Sequence, residues 1–297
     1  MIMKSRIIVY SELAEKVCVI AKQAGEFIRQ ERLRFRQEEV ERKHAHDYVS
    51  YVDKQSEQFI VTSLRKLLPE AGFVTEEGLA GYSNEQYCWV VDPLDGTTNF
   101  VHNYAPYAVS IALIKGNEIL LGIVYEVCAD ECFFSWKDGG SWLIKGDLIP
   151  ASEDGSPIDL CSHAQRLQVS SQPLSDALVC FQLPYNSGAY NPIIRRLIAS
   201  MYGRVASIRM IGSAAMALCY VAAGRLDAYA EKYIGRWDYM AGALLVQEAG
   251  GQVTTYDGMA SFMQGDNVVA TNGFIHRSIV DAVQMALRYV EEVATVY

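Results

Sequence analysis

The chain has 297 residues, of which 51% are hydrophobic and 21% charged, and its formal net charge is −9. This length and composition predict a globular protein with a well-buried core, in one large domain or two ordinary ones. The acidic balance argues against a protein whose main activity is to bind nucleic acid.

The chain shows no membrane or secretory pattern. It has no stretch of about 18 uncharged apolar residues, and Lys4, Arg6, Glu12 and Glu15 interrupt the apolar run that a signal peptide needs. The 7 cysteines form no C-x-x-C pair, which is typical of reduced thiols. We therefore expect a cytoplasmic protein with no membrane partner.

The first part of the chain predicts two amphipathic helices joined by a charged segment. Apolar residues recur at helical spacing over residues 13–28, where Ser11 is placed to cap the helix. Residues 31–43 predict a solvated arm or loop, and the H-A-H-D run at 44–47 is expected to face solvent rather than bind a metal. The second helix follows Asp53, a candidate N-cap, and stops at Pro69.

Strands dominate the next part of the chain. The expected strands are apolar runs bounded by turn residues, at positions 71–75, 87–91, 108–114, 119–127 and 131–136. The last three predict an antiparallel meander that ends at Asp138-Gly139-Gly140. Residues 145–165 lack periodicity and predict a surface loop between an N-terminal lobe, about 1–145, and a C-terminal lobe, about 166–297, of one domain.

The C-terminal part mixes both kinds of element. Its expected strands lie at residues 178–183, 205–210, 226–230, 252–255 and 267–271. Its expected helices lie at residues 192–201 and 214–223, from Asp238 to the Gly250-Gly251 pair, and at 279–293. No internal repeat is visible, so this order predicts an α/β or α+β sandwich.

The sequence D-P-L-D-G-T-T at 92–98 follows an apolar run and predicts a buried strand that meets a loop. Asp92 and Asp95 would repel each other there unless a cation lies between them. In isolation the same pattern also suits an Asx-type turn that caps backbone N–H groups.

Four acidic residues share a placement at or shortly after the end of a predicted strand: Glu76, Asp92, Asp95 and Asp238. Ligands of layered α/β folds collect at strand ends. An all-oxygen ligand set suits a hard cation such as Mg²⁺, and several carboxylates in one cleft are hard to keep ionised without a metal. Each residue also has a plain structural alternative, such as an N-cap for Asp238 or a solvated turn for Glu76.

Gly96 and Thr97 supply features suited to a phosphate. Glycine lets backbone N–H groups approach an anion, and a following helix start favours negative charge. The hydroxyl of Thr97 can orient a water, although it can also simply cap a helix. The local pattern predicts a metal-bridged phosphate attacked by a metal-activated water in an in-line displacement.

The sequence D-P-L-D-G-T-T-N-F-V-H at 92–102 resembles the first signature of the inositol monophosphatases, and W-D-Y-M-A-G-A at 237–243, with E-A-G-G at 248–251, resembles the second. The resemblance runs from about residue 10 to the last helix. Other residues in the expected order and spacing are Asp47, Asp53, Glu76, Glu77 and the segment 212–214. The resemblance implies a layered αβαβα sandwich of the sugar-phosphatase type, a homodimer, and a lithium-sensitive, Mg²⁺-dependent phosphatase.

The resemblance also implies the ligands of two or three Mg²⁺ ions. Glu76, Asp92 and the carbonyl of Leu94 would bind the first ion. Asp92, Asp95 and Asp238 would bind the second, and a third, weaker ion would lie beside Glu76, which would also hold the attacking water.

The remaining implied roles concern catalysis and the substrate. Thr97 paired with Asp53 would activate the water, and the backbone amides of Gly96 and Thr97 would hold the phosphate. The residues implied to contact the inositol hydroxyls are Asp95, Gly212, Ser213, Ala214 and Glu231.

Two classes of function stay open. The T-N-F-V-H sequence at 98–102 favours the inositol monophosphatase branch, and Glu231 suits a polyol better than a second phosphate, so myo-inositol-1-phosphate or a similar polyol monophosphate is the expected substrate. Other substrates in the superfamily are 3′-phosphoadenosine 5′-phosphate, fructose 1,6-bisphosphate, histidinol phosphate and NADP. The non-enzymatic alternative is a partner of the transcription or RNA-processing machinery, for which the acidic chain shows no RNA-binding footprint.

Overall fold

The computed structural model of the chain describes residues 8–36, 41–44, 47–80, 86–146, 160–182 and 187–294, which form both helices and strands. The helices are α1 (Tyr10–Arg32), α2 (Tyr51–Leu67), α3 (Thr97–Val101), α4 (Ser187–Met201), α5 (Ala214–Ala222), α6 (Arg236–Glu248) and α7 (His276–Ala294). The strands of the first part are β1 (Glu41–His44), β2 (Asp47–Val49), β3 (Gly72–Thr75), β4 (Tyr87–Asp95), β5 (Ala108–Lys115), β6 (Glu118–Glu126), β7 (Glu131–Trp136), β8 (Ser141–Lys145) and β9 (Gln165–Arg166). Those of the second part are β10 (Leu178–Phe181), β11 (Ser207–Arg209), β12 (Ala228–Ile234), β13 (Gln252–Thr254) and β14 (Asp266–Thr271).

Two large sheets organise these strands. The first has seven strands in the order β3-β4-β5-β6-β7-β8-β9, of which β3 and β4 are parallel and the other neighbours antiparallel. The second has five strands in the order β11-β10-β12-β14-β13. In it β10 runs parallel to β11 and β12, while β14 is antiparallel to both of its neighbours. A separate antiparallel pair joins β1 and β2.

Three hydrophobic cores stack the elements into layers. The first lies between α1 and α2 and one face of the seven-stranded sheet, and the third between the five-stranded sheet and α4 and α7. The second core surrounds α5 and α6, which pack between the two sheets. These five layers confirm the predicted αβαβα sandwich.

Strand β4 shows how the sequence produces the layers. Successive side chains of a strand point to opposite faces. Trp89 and Val91 therefore enter the first core, whereas Cys88 and Val90 enter the second. Because both faces are buried, the strand is a continuous apolar run rather than an alternating one.

The helix starts differ from the sequence prediction. Leu13 donates its N–H to the carbonyl of Val9, so α1 begins before Ser11, which is not its N-cap. The N-cap of α2 is Ser50, and Asp53 lies in the first turn, where its carboxylate accepts the N–H of Ser50 in a capping box. The N-cap prediction for Asp53 was therefore wrong by three residues.

Several strands extend beyond their predicted ends. Strand β4 continues through Asp95, and β12 continues past Glu231 to Ile234, so Glu231 lies inside a strand. The Asp138-Gly139-Gly140 segment is a hairpin turn that leads into β8, because Asp138 adopts a φ of 62° and lets the chain reverse.

The predicted arm and the predicted lobe-connecting loop are only partly within the described residues. Strand β1 lies in the arm, contrary to the prediction, whereas positions 37–40 and 45–46 are outside the described residues. Of the connecting loop, residues 147–159 are also outside them. The loop's C-terminal end forms a 3₁₀ turn at Leu160–His163 and begins β9 at Gln165, where pairing with β8 ends the irregular segment.

Two of the cysteines lie deep in the hydrophobic cores. Cys18 and Cys219 are fully buried, and burial raises the pKa of both thiols well above the usual range. Across the parts of the chain that the structure describes, no two cysteines form a disulfide. None of the helices there combines the length and the apolar character that a membrane span requires.

Candidate active site

A bulge at the end of β4 sets the direction of two acidic side chains. Asp92 pairs with Ser110 and Asp95 with Ala108, so β4 has one more residue than β5 over this interval. In a regular strand, residues three positions apart face opposite sides, and an extra residue changes that alternation. Asp92 also keeps the Asx-type contact expected of an isolated turn, because its Oδ1 accepts the N–H of Leu94 at 2.9 Å.

Asp238 joins these two residues from helix α6. Asp92, Asp95 and Asp238 each offer a carboxylate oxygen, and the three atoms lie within 4.8 Å of one another. Asp238 stands in the first turn of α6, where its Oδ2 accepts the N–H of Gly235 at 2.8 Å. It is therefore not the N-cap of α6, which is Gly235.

These carboxylates raise one another's pKa. Burial and the negative charges of neighbouring carboxylates, including Glu76, hold the pKa of Asp92 and Asp238 well above the usual range. Burial raises the pKa of Asp95 to about 6, although hydrogen bonds to its carboxylate act in the opposite direction. An all-oxygen cluster with such repulsion fits a hard divalent cation, which would favour the ionised form of all three groups.

Asp95 is held in place by the start of α5. The hydroxyl of Ser213 and the N–H of Ala215 both donate to Asp95 Oδ2, the latter at 2.8 Å. The N–H of Ala214 donates to Asp95 Oδ1 at 3.3 Å. The orientation of one carboxylate from the first sheet thus depends on a helix that packs between the sheets.

Thr97 and Asp53 form a buried pair beside the carboxylates. The Thr97 hydroxyl lies 3.0 Å from Asp53 Oδ1 and 3.0 Å from the carbonyl oxygen of Leu94. The other carboxylate oxygen of Asp53 accepts the N–H of Ser50 at 2.8 Å and its hydroxyl at 2.7 Å. Burial raises the pKa of Asp53 to about 6.

Three buried polar residues on one side of α2, Asp53, Ser56 and Glu57, form what we call the polar face of α2. Their spacing of three and four positions places them together on the helix. The Ser56 hydroxyl donates to the carbonyl of Pro93 at 3.1 Å. This face therefore contacts the bulge of β4 as well as Thr97.

Glu57 holds the loop that carries Glu76. Its carboxylate accepts the hydroxyl of Thr75 at 2.8 Å and the N–H groups of Glu77 at 2.8 Å and Leu79 at 2.7 Å. Glu76 itself is half-buried directly after β3. Sequence reasoning missed Glu57, although its four-residue spacing from Asp53 in the predicted helix was an available signal.

Two glycines permit a close approach between the segment that follows β4 and the segment that precedes α5. Gly96 has a φ of 91°, and a Cβ there would lie 3.1 Å from the carbonyl oxygen of Gly212, which has a φ of 79°. Asn99 stabilises the same approach, because its side-chain amide donates hydrogen bonds to the carbonyls of Pro106 at 2.8 Å and Ile211 at 2.9 Å. Gly96 precedes the five-residue helix α3.

A cavity of about 210 Å³ extends from the carboxylates. Its lining residues are Asp95, Thr98, Asn99, Gln182, Gly212, Ala214, Glu231, Tyr233, Ile234 and Asp238. We call Asp92, Asp95 and Asp238 the carboxylate end of the site, and Gln182, Glu231 and Tyr233 the far wall. Ser213 does not line the cavity, because its hydroxyl donates to Asp95 and accepts the N–H of Met216.

Glu231 is the acidic residue of the far wall. It is buried in β12 and accepts a hydrogen bond from the hydroxyl of Tyr229. Burial raises its pKa to about 8. Gln182 and Tyr233 were not predicted from the sequence, since neither lies in a recognisable motif.

The chain is similar in sequence and in structure to known proteins of one family. The sequence model of the inositol monophosphatase family matches residues 10–288. An inositol-1-monophosphatase of Mesorhizobium japonicum is 35% identical over 81% of this chain and 84% of its own length, and the Nus factor SuhB of Pseudomonas aeruginosa is 35% identical over 89% and 93%. The crystal structure of the extragenic suppressor protein suhB from Bartonella henselae superposes with a TM-score of 0.76 and 31% identity, covering 91% of this chain and 98% of that one.

Proposed function

Because the chain belongs to the inositol monophosphatase family, we propose that it is a Mg²⁺-dependent phosphomonoesterase acting on myo-inositol-1-phosphate or a similar polyol monophosphate. The family and its named relatives support a phosphatase of this superfamily. The observation that carries the finer proposal is the cluster of Asp92, Asp95 and Asp238 within 4.8 Å at one end of a cavity. The proposal includes a cytoplasmic, lithium-sensitive homodimer, as the family implies.

The carboxylate end would hold two or three Mg²⁺ ions. Their ligands would be Asp92, Asp95, Asp238, Glu76 and the carbonyl of Leu94. The chemistry that bound Mg²⁺ supplies is a lowered pKa of water and neutralisation of charge on the phosphate oxygens. Oxygen ligands and mutual repulsion among the buried carboxylates support this assignment.

Thr97 and Asp53 would position and deprotonate the attacking water. The hydroxyl of Thr97 donates toward Asp53 and can accept a hydrogen bond from a water at the same time. Asp53, with a pKa of about 6, is suited to accept a proton near neutral pH. The backbone amides of Gly96 and Thr97 would contact the phosphate.

The lining of the cavity favours a polyol over a substrate with a second phosphate. None of the described residues that line it is Lys, Arg or His. A second phosphate would normally be matched by Arg or Lys. Glu231 would instead accept hydrogen bonds from hydroxyl groups. The amide NH₂ of Gln182 could donate to such hydroxyls and the side-chain carbonyl of Asn99 could accept from them.

A substrate panel tests the proposal. We expect Mg²⁺-dependent phosphate release with the highest kcat/KM for inositol-1-phosphate, compared with fructose 1,6-bisphosphate, 3′-phosphoadenosine 5′-phosphate and histidinol phosphate. Chelation with EDTA should abolish release. Absence of Mg²⁺-dependent release from every ester, together with a stable complex with transcription or RNA-processing proteins, would replace the enzymatic proposal with a binding role.

A further inference from the structure

Tyr233 has an unusual backbone conformation for its residue type. Its φ is 63°, in the left-handed region where an L side chain crowds the following carbonyl oxygen. Lys232 pairs with Asn267 and Ile234 with Asp266, so Tyr233 is an extra residue in the ladder of β12 and β14. Strained residues and bulges cluster at functional sites, where they redirect a side chain.

The hydrophobic cores do not account for this conformation. Tyr233 belongs to none of the three cores, and the residue remains 43% exposed. An aromatic ring that contributed to folding would normally be buried, because its large apolar area is what stabilises the folded state. Burial in a core therefore does not explain why a tyrosine occupies this left-handed position.

The location of the ring supplies that explanation. Tyr233 lines the cavity together with Glu231, which lies two positions earlier on β12, and with Asp95 and Asp238 from the carboxylate end. Lys232 Nζ stands 4.8 Å from the centroid of the Tyr233 ring and 2.8 Å from Asp266 Oδ2. This ion pair and cation–π contact hold the ring of this cavity-lining residue beside Lys232.

We propose that Tyr233 is a specificity-determining residue whose ring packs against the carbon skeleton of a cyclic alcohol while its phosphate lies at the carboxylate end. This inference rests on the proposed function. A ring-shaped polyol presents a face of C–H groups that can pack on an aromatic ring, whereas a short acyclic alcohol presents no such face. The ring thus favours cyclic over acyclic alcohol monophosphates.

Steady-state kinetics with two esters, inositol-1-phosphate and glycerol 2-phosphate, test this role. For Tyr233→Gly we expect KM for inositol-1-phosphate to rise about two- to tenfold, with kcat and the KM for glycerol 2-phosphate within about twofold of wild type. Tyr233→Phe keeps the ring, so its KM ratio for the two esters should match wild type.

Thermal unfolding separates this role from a structural one. Glycine relieves the left-handed strain, so Tyr233→Gly should raise the Tm by about 1–4 °C while it weakens substrate binding. Asp138 is a matched control, since it has a φ of 62° and does not line the cavity. Asp138→Gly should also raise the Tm but leave both KM values unchanged.

Several outcomes would overturn the inference. The first is a ratio of the two KM values that Tyr233→Gly leaves unchanged, which includes an equal rise in KM for both esters. The second is a rise in KM for inositol-1-phosphate in Tyr233→Phe as large as that in Tyr233→Gly. The third is a Tm of Tyr233→Gly below that of wild type. Wild-type protein that releases no phosphate from either ester would instead refute the proposed function, and this inference with it.

Discussion

The two ends of the cavity are built in different ways. At the carboxylate end, Asp95 accepts hydrogen bonds from a side chain and two backbone amides of another element, and Asp238 accepts one within its own helix turn. On the far wall, Glu231 accepts one from Tyr229 in its own strand, and Tyr233 is partly exposed. One end is therefore fixed by contacts between layers, and the other by contacts among the strands of the five-stranded sheet and the residues that follow them.

This difference in support fits the separate tasks that we propose for the two ends, catalysis at the carboxylate end and substrate preference at the far wall. A reaction centre requires groups held to within a fraction of an ångström by supporting contacts, as the polar face of α2 supports Thr97 and the Glu76 loop. Side chains of the far wall, in contrast, can be substituted without disturbing the contacts that support the carboxylate end. Chemistry should therefore fail when the carboxylate end is altered, whereas substrate preference should shift when the far wall is altered.

The largest effect should follow substitution at the carboxylate end. Asp238→Asn removes one charge from the cluster but leaves an oxygen that can accept the N–H of Gly235. We expect turnover to fall more than about 100-fold, beyond the loss typical of residues that only support a metal ligand. Phosphate-release assays and thermal unfolding should show a folded but nearly inactive protein.

The control for this variant is Asp257→Asn, which changes an exposed aspartate in the turn after β13. It should retain wild-type turnover. If Asp238→Asn also retains wild-type turnover, the carboxylate end does not hold a catalytic metal.

A smaller effect should follow substitution of Glu57, which supports the site without lining the cavity. In the wild-type protein, both carboxylate oxygens of Glu57 accept hydrogen bonds from N–H or O–H donors. In Glu57→Gln an amide NH₂ replaces one of these oxygens and cannot accept, so the Glu76 loop loses at least one of its hydrogen bonds. We expect about 10- to 100-fold lower activity and a higher Mg²⁺ requirement. Hydrogen exchange at the amides of Glu77 and Leu79 should accelerate.

Glu70→Gln serves as the matched control, because it makes the same change at an exposed position just after α2. Neither its activity nor the exchange of the two amides should change. Wild-type Mg²⁺ dependence in Glu57→Gln would show that the Glu76 loop does not need this anchor.

The smallest effect concerns the far wall and appears in stability rather than turnover. Burial raises the pKa of Glu231 from its usual 4.5 to about 8. Between those pH values the unfolded state has lost this proton while the folded state retains it, so the free energy of unfolding falls as pH rises from about 4.5 to about 8. The slope from this group is at most about 1.4 kcal/mol per pH unit.

Urea unfolding in EDTA across that pH range measures the slope. Glu231→Gln removes the titrating group and should make the profile flatter than that of wild type. An unchanged profile would mean that Glu231 ionises in the folded protein as readily as in the unfolded one.

The sequence by itself determined the features that depend on neighbouring residues. Helical periodicity predicted the helices α1 and α2, because burial of one helix face follows directly from the spacing of apolar residues. Apolar runs bounded by turn residues predicted the meander of β5, β6 and β7. The segment 92–98 carries two carboxylates, a glycine and two hydroxyls within a few positions, so its chemistry was visible without a fold. The family resemblance then supplied the layer order.

Only the tertiary structure decided which distant residues meet. Asp238 reaches Asp92 because α6 packs between the sheets against β4, and Glu57 holds the Glu76 loop because α2 packs on the opposite side of β4. The strained conformation of Tyr233 depends on how β12 pairs with β14. These contacts cannot be predicted from neighbouring residues in the sequence, since they arise from the packing of apolar faces of elements that are far apart in the chain.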